Sequence, residues 1–161
     1  MNDMSTKIPF QAPGYHTITP ALAIKGAAAA IDFYKRAFNA AELHRMASPD
    51  GTVMHAEIKI GDSNIMLSDE FPDWGVLSPK TVGGSPTTLY IYVEDVDATT
   101  RQALAAGAKE LQPVSDQFWG DRSGKIEDPF GYRWGLATHI EDVSPEEMDR
   151  RSKAWMSEER K

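Results

Sequence analysis

The chain has 161 residues, 41% hydrophobic and 25% charged, which is enough to form one domain or two small modules around a hydrophobic core. Its net charge of −7 and its scattered basic residues argue against a nucleic-acid partner, since such surfaces need clustered Lys and Arg. The absence of cysteine excludes disulfides, thiolate catalysis and thiolate metal sites.

No apolar run approaches the roughly 20 residues of a membrane-spanning helix, because charged or small residues interrupt every candidate. The N-terminus also lacks the basic start and the apolar run of a secretory signal. We therefore expect a cytoplasmic protein without a membrane partner.

The hydrophobic pattern predicts two groups of elements in succession. Residues 1–14 contain Pro9, Pro13 and Gly14 and are expected to form a flexible lead. A strand, a helix and three strands are predicted over residues 17–24, 26–38, 41–47, 52–60 and 63–68. A loop rich in Gly, Pro and Ser follows at 69–86, and the order then restarts over residues 87–93, 96–106, 109–114, 119–127 and 132–138.

The restart indicates an internal repeat. Residues 19–24 overlay 88–93 at an offset of 69, residues 40–43 overlay 108–111 at 68, and residues 65–67 overlay 134–136 at 69. Chance similarity between two ordinary α+β stretches is the alternative, but the shared element order and the steady offset favour a duplication. We divide the chain into a lead (1–14), a first βαβββ module (15–69), a linker or lid loop (70–86), a second βαβββ module (87–140) and a C-terminal helix (141–161).

The C-terminal helix has a recognisable start. Ser144 is a suitable N-cap, Pro145 suits the first helical position, and Glu147 lies three residues after the cap. Its face with Met148 and Trp155 is expected to dock on the domain or on a partner subunit.

Three stretches carry a resemblance to a known family: MHAEIKIGDSNIMLSDE, WGDRSGKIEDPFG and ATHIEDVSPEEM. Residues 16–150 resemble the vicinal oxygen chelate superfamily. The resemblance also rests on the paired βαβββ pattern, on IDFY in the first helix and on DPFG before the last strand. That superfamily includes glyoxalase I, extradiol dioxygenases and bleomycin-resistance proteins, and the sequence looks closest to its PhnB-like branch. The resemblance implies an α+β fold whose curved mixed sheets form a cup. It also implies a homodimer, often with modules exchanged between chains.

Strand alternation independently predicts which side chains face the cup, because successive residues point to opposite sides of a sheet. One phase is apolar and should lie under the helices. The other phase mixes small, polar and aromatic groups, which suits a ligand-sized hollow. From this phase and the neighbouring strand ends we predict the ligand-binding residues Thr19, His55, Glu57, Met66, Thr88, Tyr90, Tyr92, Trp119, Asp121, Arg122 and Arg133.

The metal positions that the resemblance implies fall on residues that are poor ligands. They are Thr19, Met66, Thr88 and Gly135, whereas catalytic zinc or iron sites need imidazole or carboxylate donors. Shifting the alignment by one or two residues brings in no His, Asp or Glu. We therefore expect no cofactor and no metal at the usual position.

His55 and Glu57 are the candidates for chemistry, since both face the same side of one strand. They could bind metal together with His16 or His139, act as an acid–base pair, or simply contact a ligand or a cross-strand neighbour. His139 lies beside Glu141 and Asp142, where an ion pair is the common explanation.

The segment from Trp119 to Arg122 is predicted to form a pocket wall. Trp119 can cover a planar ligand, and Arg122 can offer a forked donor to a carboxylate or phosphonate. Asp121 can hold Arg122 or meet a ligand cation. The alternative is a salt bridge at the strand end beneath a core tryptophan.

Three functions follow from these observations. The first is a metal-free binding protein that captures a small aromatic or charged molecule in a dimeric cup. The second is a lyase or isomerase, metal-free or with a non-standard metal site, that uses His55 and Glu57. The third is a structural or regulatory protein whose cup is filled by its own side chains.

Overall fold

The structure is a computed structural model that describes residues 8–158, so residues 1–7 of the predicted lead and 159–161 of the predicted C-terminal helix lie outside the described residues. It contains two four-stranded sheets, each with a parallel and two antiparallel pairings. The predicted α+β fold of two βαβββ modules with a C-terminal helix is confirmed. Within residues 8–158, no helix is both long and apolar enough to cross a membrane.

Each module follows the predicted order of elements. The first comprises β1 (Ala21–Ile24), α1 (Ala27–Phe38), β2 (Ala41–Ala47), β3 (Val53–Ile60) and β4 (Ser63–Asp69). The connection, expected to be a loop, also contains a 3-10 turn (Pro72–Trp74) and the short helix α2 (Pro79–Val82). The second comprises β5 (Thr88–Tyr92), α3 (Val96–Ala106), β6 (Lys109–Asp116), β7 (Asp121–Glu127) and β8 (Arg133–His139), and α4 (Pro145–Glu158) ends the fold.

The two sheets repeat the same topology and register. Their strand orders are β1-β4-β3-β2 and β5-β8-β7-β6. Ala21 pairs with Met66 in the first sheet, and Tyr90 pairs with Gly135 in the second, so both partners are displaced by the same 69 residues. The repeat found in the sequence is therefore a repeat of structure.

The helices pack on the apolar face of the sheets, as strand alternation predicted. Ile24, Ile58 and Leu67 are at most 2% exposed beneath α1. The start of α1 is fixed by the Asp69 carboxylate at the end of β4, whose Oδ1 accepts hydrogen bonds from the backbone N–H of Gly26 at 3.1 Å and of Ala27 at 2.9 Å. Asp95 caps α3 in the same manner, accepting from the N–H of Ala98 at 2.9 Å.

The aspartate of the DPFG turn joins the two modules. Asp128 is 2% exposed and accepts hydrogen bonds from the Tyr34 hydroxyl of α1 at 2.7 Å and from the Trp134 indole of β8 at 2.9 Å. Its other oxygen accepts from the N–H groups of Phe130 and Tyr132, each at 2.9 Å. Because Tyr34 belongs to the first module, this carboxylate fixes the position of α1 relative to the second sheet.

The C-terminal helix α4 begins as predicted, with Ser144 Oγ accepting from the Glu147 N–H at 3.3 Å. Arg151 contacts the Glu141 carboxylate, just after β8, at 2.7 Å and links the helix to the second module through the Phe118 carbonyl at 3.3 Å. Trp155 packs on Phe118 with ring centroids 5.7 Å apart. The helix thus lies beside the turn between β6 and β7 that contains Trp119.

Candidate functional site

Each sheet has one face under the helices and an opposite face that is partly exposed. We call the opposite face of β1–β4 the first cup face and that of β5–β8 the second cup face. On the second, Tyr90 is 45% and Tyr92 65% exposed, values far above those of the apolar face. The described strands, within residues 8–158, form two separate ladders, so the two cup faces lie on different sheets.

The first cup face brings His55 and Glu57 together, as alternation along β3 predicted. His55 Nε2 lies 3.1 Å from Glu57 Oε1, and both side chains are about a third exposed or less, at 36% and 25%. Glu57 pairs across the sheet with Met66, which pairs in turn with Ala21. The nearby Tyr15 hydroxyl, and then His55, hold the pKa of the Glu57 carboxyl below its usual range. The carboxylate is therefore ionised and placed to accept a proton or a hydrogen bond.

Tyr15 and Asn64 complete this polar group, and the sequence did not single out either as a site residue. Burial, and then the Glu57 carboxylate, raise the pKa of Tyr15 to about 12. The Tyr15 hydroxyl and the Asn64 Oδ1 atom are both buried without a well-formed hydrogen bond in residues 8–158. Buried polar atoms of this kind mark places where water or a ligand atom fits.

The second cup face is organised by Asp121, which is 3% exposed. Its Oδ2 accepts hydrogen bonds from the Tyr92 hydroxyl at 3.0 Å and from the Trp119 indole N–H at 3.2 Å. Its Oδ1 lies 2.8 Å from His139 Nδ1, and His139 Nε2 lies 2.8 Å from the Asp142 carboxylate. The predicted ion pair of His139 with Asp142 is confirmed, but its contact with Asp121 was missed. The pairing of Asp121 with His139 across β7 and β8 would have indicated it, had the register been known.

Tyr90 lies flat against the backbone of Gly135. A Cβ atom at position 135 would come within 2.4 Å of the Tyr90 ring, so only glycine leaves room for this ring position. The Tyr90 and Tyr92 rings meet edge to face at 5.5 Å. The glycine thus allows an aromatic surface at the centre of the second sheet.

A cavity of about 340 Å³ opens on this aromatic surface. Its lining combines aromatic rings, hydroxyls and one ammonium group, from Thr88, Tyr90, Gln112, Trp119, Ser123, Gly124 and Lys125. The volume is in the range of small-ligand pockets, which start at about 300 Å³. A second cavity, of about 330 Å³, lies between the β1 and β5 edges and the linker, but its lining holds no charged side chain.

The two predicted arginines lie away from this cavity. Arg122 is on the other side of β7, where its guanidinium forms a forked pair with Asp97 at 2.7 and 2.9 Å and contacts Asp116 at 2.8 Å. These carboxylates raise its pKa further above its usual range, and they occupy the donors that were expected to meet a ligand. Arg133 is exposed at the edge of the cup face, paired with Thr88 on one side and Glu127 on the other.

Thr19 lies just before β1 rather than within it. Its hydroxyl donates to the His16 carbonyl at 3.1 Å, so it belongs to the irregular segment that leads into the sheet. Met66 is half-buried in the middle of the first cup face. Of the predicted residues, the structure thus groups His55, Glu57 and Met66 on one face and Thr88, Tyr90, Tyr92, Trp119 and Asp121 on the other.

This arrangement of paired βαβββ modules agrees with the comparisons to known proteins. The model of the Glyoxalase/Bleomycin resistance protein/Dioxygenase superfamily matches residues 16–136. The chain belongs to this superfamily. An uncharacterized protein of Mycobacterium bovis is 41% identical over 134 residues, which cover 81% of this chain and 88% of the relative. The predicted family is confirmed.

Two solved structures from the same comparisons share the fold. TioX from Micromonospora sp. ML1 has a TM-score of 0.61 at 28% identity, over 76% of this chain and 98% of TioX. The PhnB protein from Bacillus cereus has a TM-score of 0.60 at 21% identity, over 76% of this chain and 99% of its own. At 21% identity, the likeness to the PhnB protein shows a shared fold and nothing more.

The residues at the positions implied for the superfamily's metal do not fit a metal ion. Thr19, Met66, Thr88 and Gly135 offer hydroxyls, a thioether and no side chain, whereas catalytic sites use imidazole and carboxylate ligands. Position 135 is also covered by the Tyr90 ring. In the described part of the chain, no three His, Asp or Glu side chains are grouped closely enough to hold an ion elsewhere.

Proposed function

We propose that this protein binds a small aromatic or charged molecule in a cup formed by two copies of the chain. The aromatic surface of Tyr90, Tyr92 and Trp119 around the buried Asp121 is the observation that carries the proposal. It is exposed and borders a cavity of about 340 Å³ whose lining adds hydroxyls and one ammonium group, while Asp121 beneath it holds the rings in place. Such a surface suits a ring stacked on the aromatics, with a polar or charged group directed at the hydroxyls and the ammonium of the lining.

The two cup faces also have complementary charges, which favours pairing between copies. Glu57 and Lys59 of the first module correspond, 68 residues later, to Lys125 and Glu127 of the second. Lys59, Lys125 and Glu127 form no ion pair with any described residue. A two-fold dimer that places the first cup face of one copy against the second cup face of the other would bring unlike charges together in both halves.

The cavity argues against a cup filled by its own side chains. A self-filled cup would require Met66, Tyr90 and Trp119 to pack together. Instead, Tyr90 and Trp119 line an open space on one sheet, while Met66 belongs to the other.

Thermal-shift screening tests the binding function directly. A library of small cationic, anionic and neutral aromatics should contain compounds that stabilise the protein, by about 2.7 kcal/mol at a hundred times Kd. Trp119→Ala should abolish the shift. Trp74→Ala, which removes a tryptophan of the linker that is 71% exposed, should retain it and serves as the matched control. A library without active compounds, or an equal shift in Trp119→Ala, would contradict the proposal.

Acid–base catalysis by His55 and Glu57 is the second candidate function, supported by their 3.1 Å contact. An ionised carboxylate beside an imidazole can remove and return a proton, as a lyase or isomerase requires. His55→Ala and Glu57→Gln should each abolish turnover of the substrate while leaving thermal unfolding unchanged. Activity that survives in both variants would exclude this pair from the mechanism.

Elemental mass spectrometry tests a non-standard metal site at the same pair. Untagged protein, soaked in zinc, nickel, manganese and iron salts and then desalted, should retain less than one metal ion per chain. Stoichiometric metal that is lost in His55→Ala would instead assign metal chemistry to His55 and Glu57.

A further inference from the structure

The segment that precedes β1 crosses the first cup face and is weakly attached to it. Residues 8–19 form no helix or strand, and their well-formed hydrogen bonds to described residues stay within the segment. The Tyr15 N–H donates to the Ala12 carbonyl at 3.2 Å, and the Gln11 side chain donates to the Tyr15 carbonyl. The segment therefore has its own local shape, and its polar contact with the sheet is made by the Tyr15 side chain.

Tyr15 fills a polar recess on that face. Its hydroxyl is buried beside Glu57 and Asn64, and Gly14 packs so closely that a Cβ there would lie 3.3 Å from Asn64 Nδ2. Asn64 is 7% exposed, and its Oδ1 atom has no partner in the described part of the chain. The recess thus contains a carboxylate acceptor and an amide, neither of which the Tyr15 hydroxyl engages with good geometry.

We propose that this recess is a binding site for the hydroxyl end of a phenolic ligand, and that Tyr15 is its intramolecular occupant. A phenol can donate to the Glu57 carboxylate and accept from the Asn64 amide, and its ring fits the space of the Tyr15 ring. Because residues 8–19 lack hydrogen bonds to the sheet, displacing them breaks few interactions. All the residues belong to one chain, so the inference does not depend on the proposed dimer or on the second cup face.

An occupied recess lowers the apparent affinity of the wild-type protein, since only the open fraction binds ligand. Titration of p-cresol, the analogue of the tyrosine side chain, measured by ligand-observed NMR, tests this effect. Tyr15→Ala should bind p-cresol at least about ten-fold more tightly than the wild type, corresponding to an open fraction of one tenth or less. Tyr15→Phe keeps the ring in place and should show a smaller gain.

Two controls distinguish recognition of the hydroxyl group from nonspecific filling of an apolar cavity. Tyr15→Ala should prefer p-cresol to toluene, and the added change Glu57→Gln should remove that preference. The wild-type residue and Tyr15→Ala are also compared in a Trp119→Ala background, which removes the aromatic surface of the second cup face. The gain on Tyr15→Ala should persist there, so a result at the recess is distinguished from one at the site of the proposed function. Equal affinity of the wild type and Tyr15→Ala, or equal binding of toluene and p-cresol by Tyr15→Ala, would overturn the inference.

Discussion

Asp121 is almost completely buried on the face of the sheet that exposes Tyr90, Tyr92 and Trp119. Its burial is tolerated because the Tyr92 hydroxyl, the Trp119 indole and the His139 imidazole all direct polar atoms at it. The same contacts fix the orientation of two aromatic rings on the cup face. One buried carboxylate therefore orders the surface that we propose binds the ligand.

His139 gives this cluster a pH dependence. Its hydrogen bonds with Asp142, and then with Asp121, raise its pKa above the ordinary 6.5. Because the folded pKa exceeds the unfolded one, protonated His139 contributes stability that is full below about pH 6.5 and is lost as pH rises through the folded value. Urea unfolding at several pH values should show this loss in the wild type and not in His139→Gln. The same pH dependence of the free energy of unfolding in both proteins would contradict this role of His139.

Replacing Gly120, just before β7, by alanine should destabilise the fold. Its φ of +97° lies in the left-handed region, and a Cβ there would be 2.1 Å from the Glu141 carbonyl oxygen. Gly120→Ala should lower the free energy of unfolding by about 2 kcal/mol more than Gly61→Ala, owing to overpacking against backbone. Gly61 is the matched control, with a φ of +58° and no atom within 4 Å of the added Cβ. Equal losses in the free energy of unfolding, measured by urea denaturation, would mean that the positive φ alone destabilises both variants and that the contact with Glu141 adds nothing.

At the scale of elements, local sequence patterns predicted most of the fold. Alternation identified the faces of the strands, and Ser144 with Glu147 located the start of α4. The contacts between elements were not predictable. Nothing around Tyr34 indicates that its hydroxyl meets Asp128, 94 residues away. Arg122 follows Asp121 in β7, so alternation should have assigned it to the opposite face, and only its partner Asp97 in another element was unpredictable. Tyr15 was missed for the same reason, since its segment has no periodic pattern.

The hydrogen bond of Tyr34 with Asp128 should be stronger than that of Tyr132 with Ala23, which also joins the modules. Tyr34→Phe removes a donor from a buried carboxyl group and should destabilise the protein by about 1.5–3 kcal/mol. Tyr132→Phe, which removes a bond of 2.8 Å to the neutral Ala23 carbonyl, should cost about 1 kcal/mol. Urea denaturation compares the two variants directly. A larger loss in Tyr132→Phe would mean that Asp128 does not anchor α1.

At the scale of the whole molecule, the two modules share a topology but carry different side chains on their cup faces. Ala21 corresponds to Tyr90, and Met66 corresponds to Gly135, so the aromatic surface exists only in the second module. The pair of His55 and Glu57 exists only in the first, because Ser123 stands where His55 does. A cup made from one face of each kind would combine recognition by aromatic rings with a carboxylate and an imidazole, which neither face offers alone.

The charges at corresponding positions make this pairing testable. Reversing the first face with Glu57→Lys and Lys59→Glu should weaken the proposed dimer at least about ten-fold, or ~1.4 kcal/mol, because like charges would then meet. Reversing the second face with Lys125→Glu and Glu127→Lys should have a similar effect, and all four changes together should restore association. Sedimentation velocity across a concentration series measures each dissociation constant, and added salt should reduce the differences. Additive losses in the quadruple variant would show that the two cup faces do not meet.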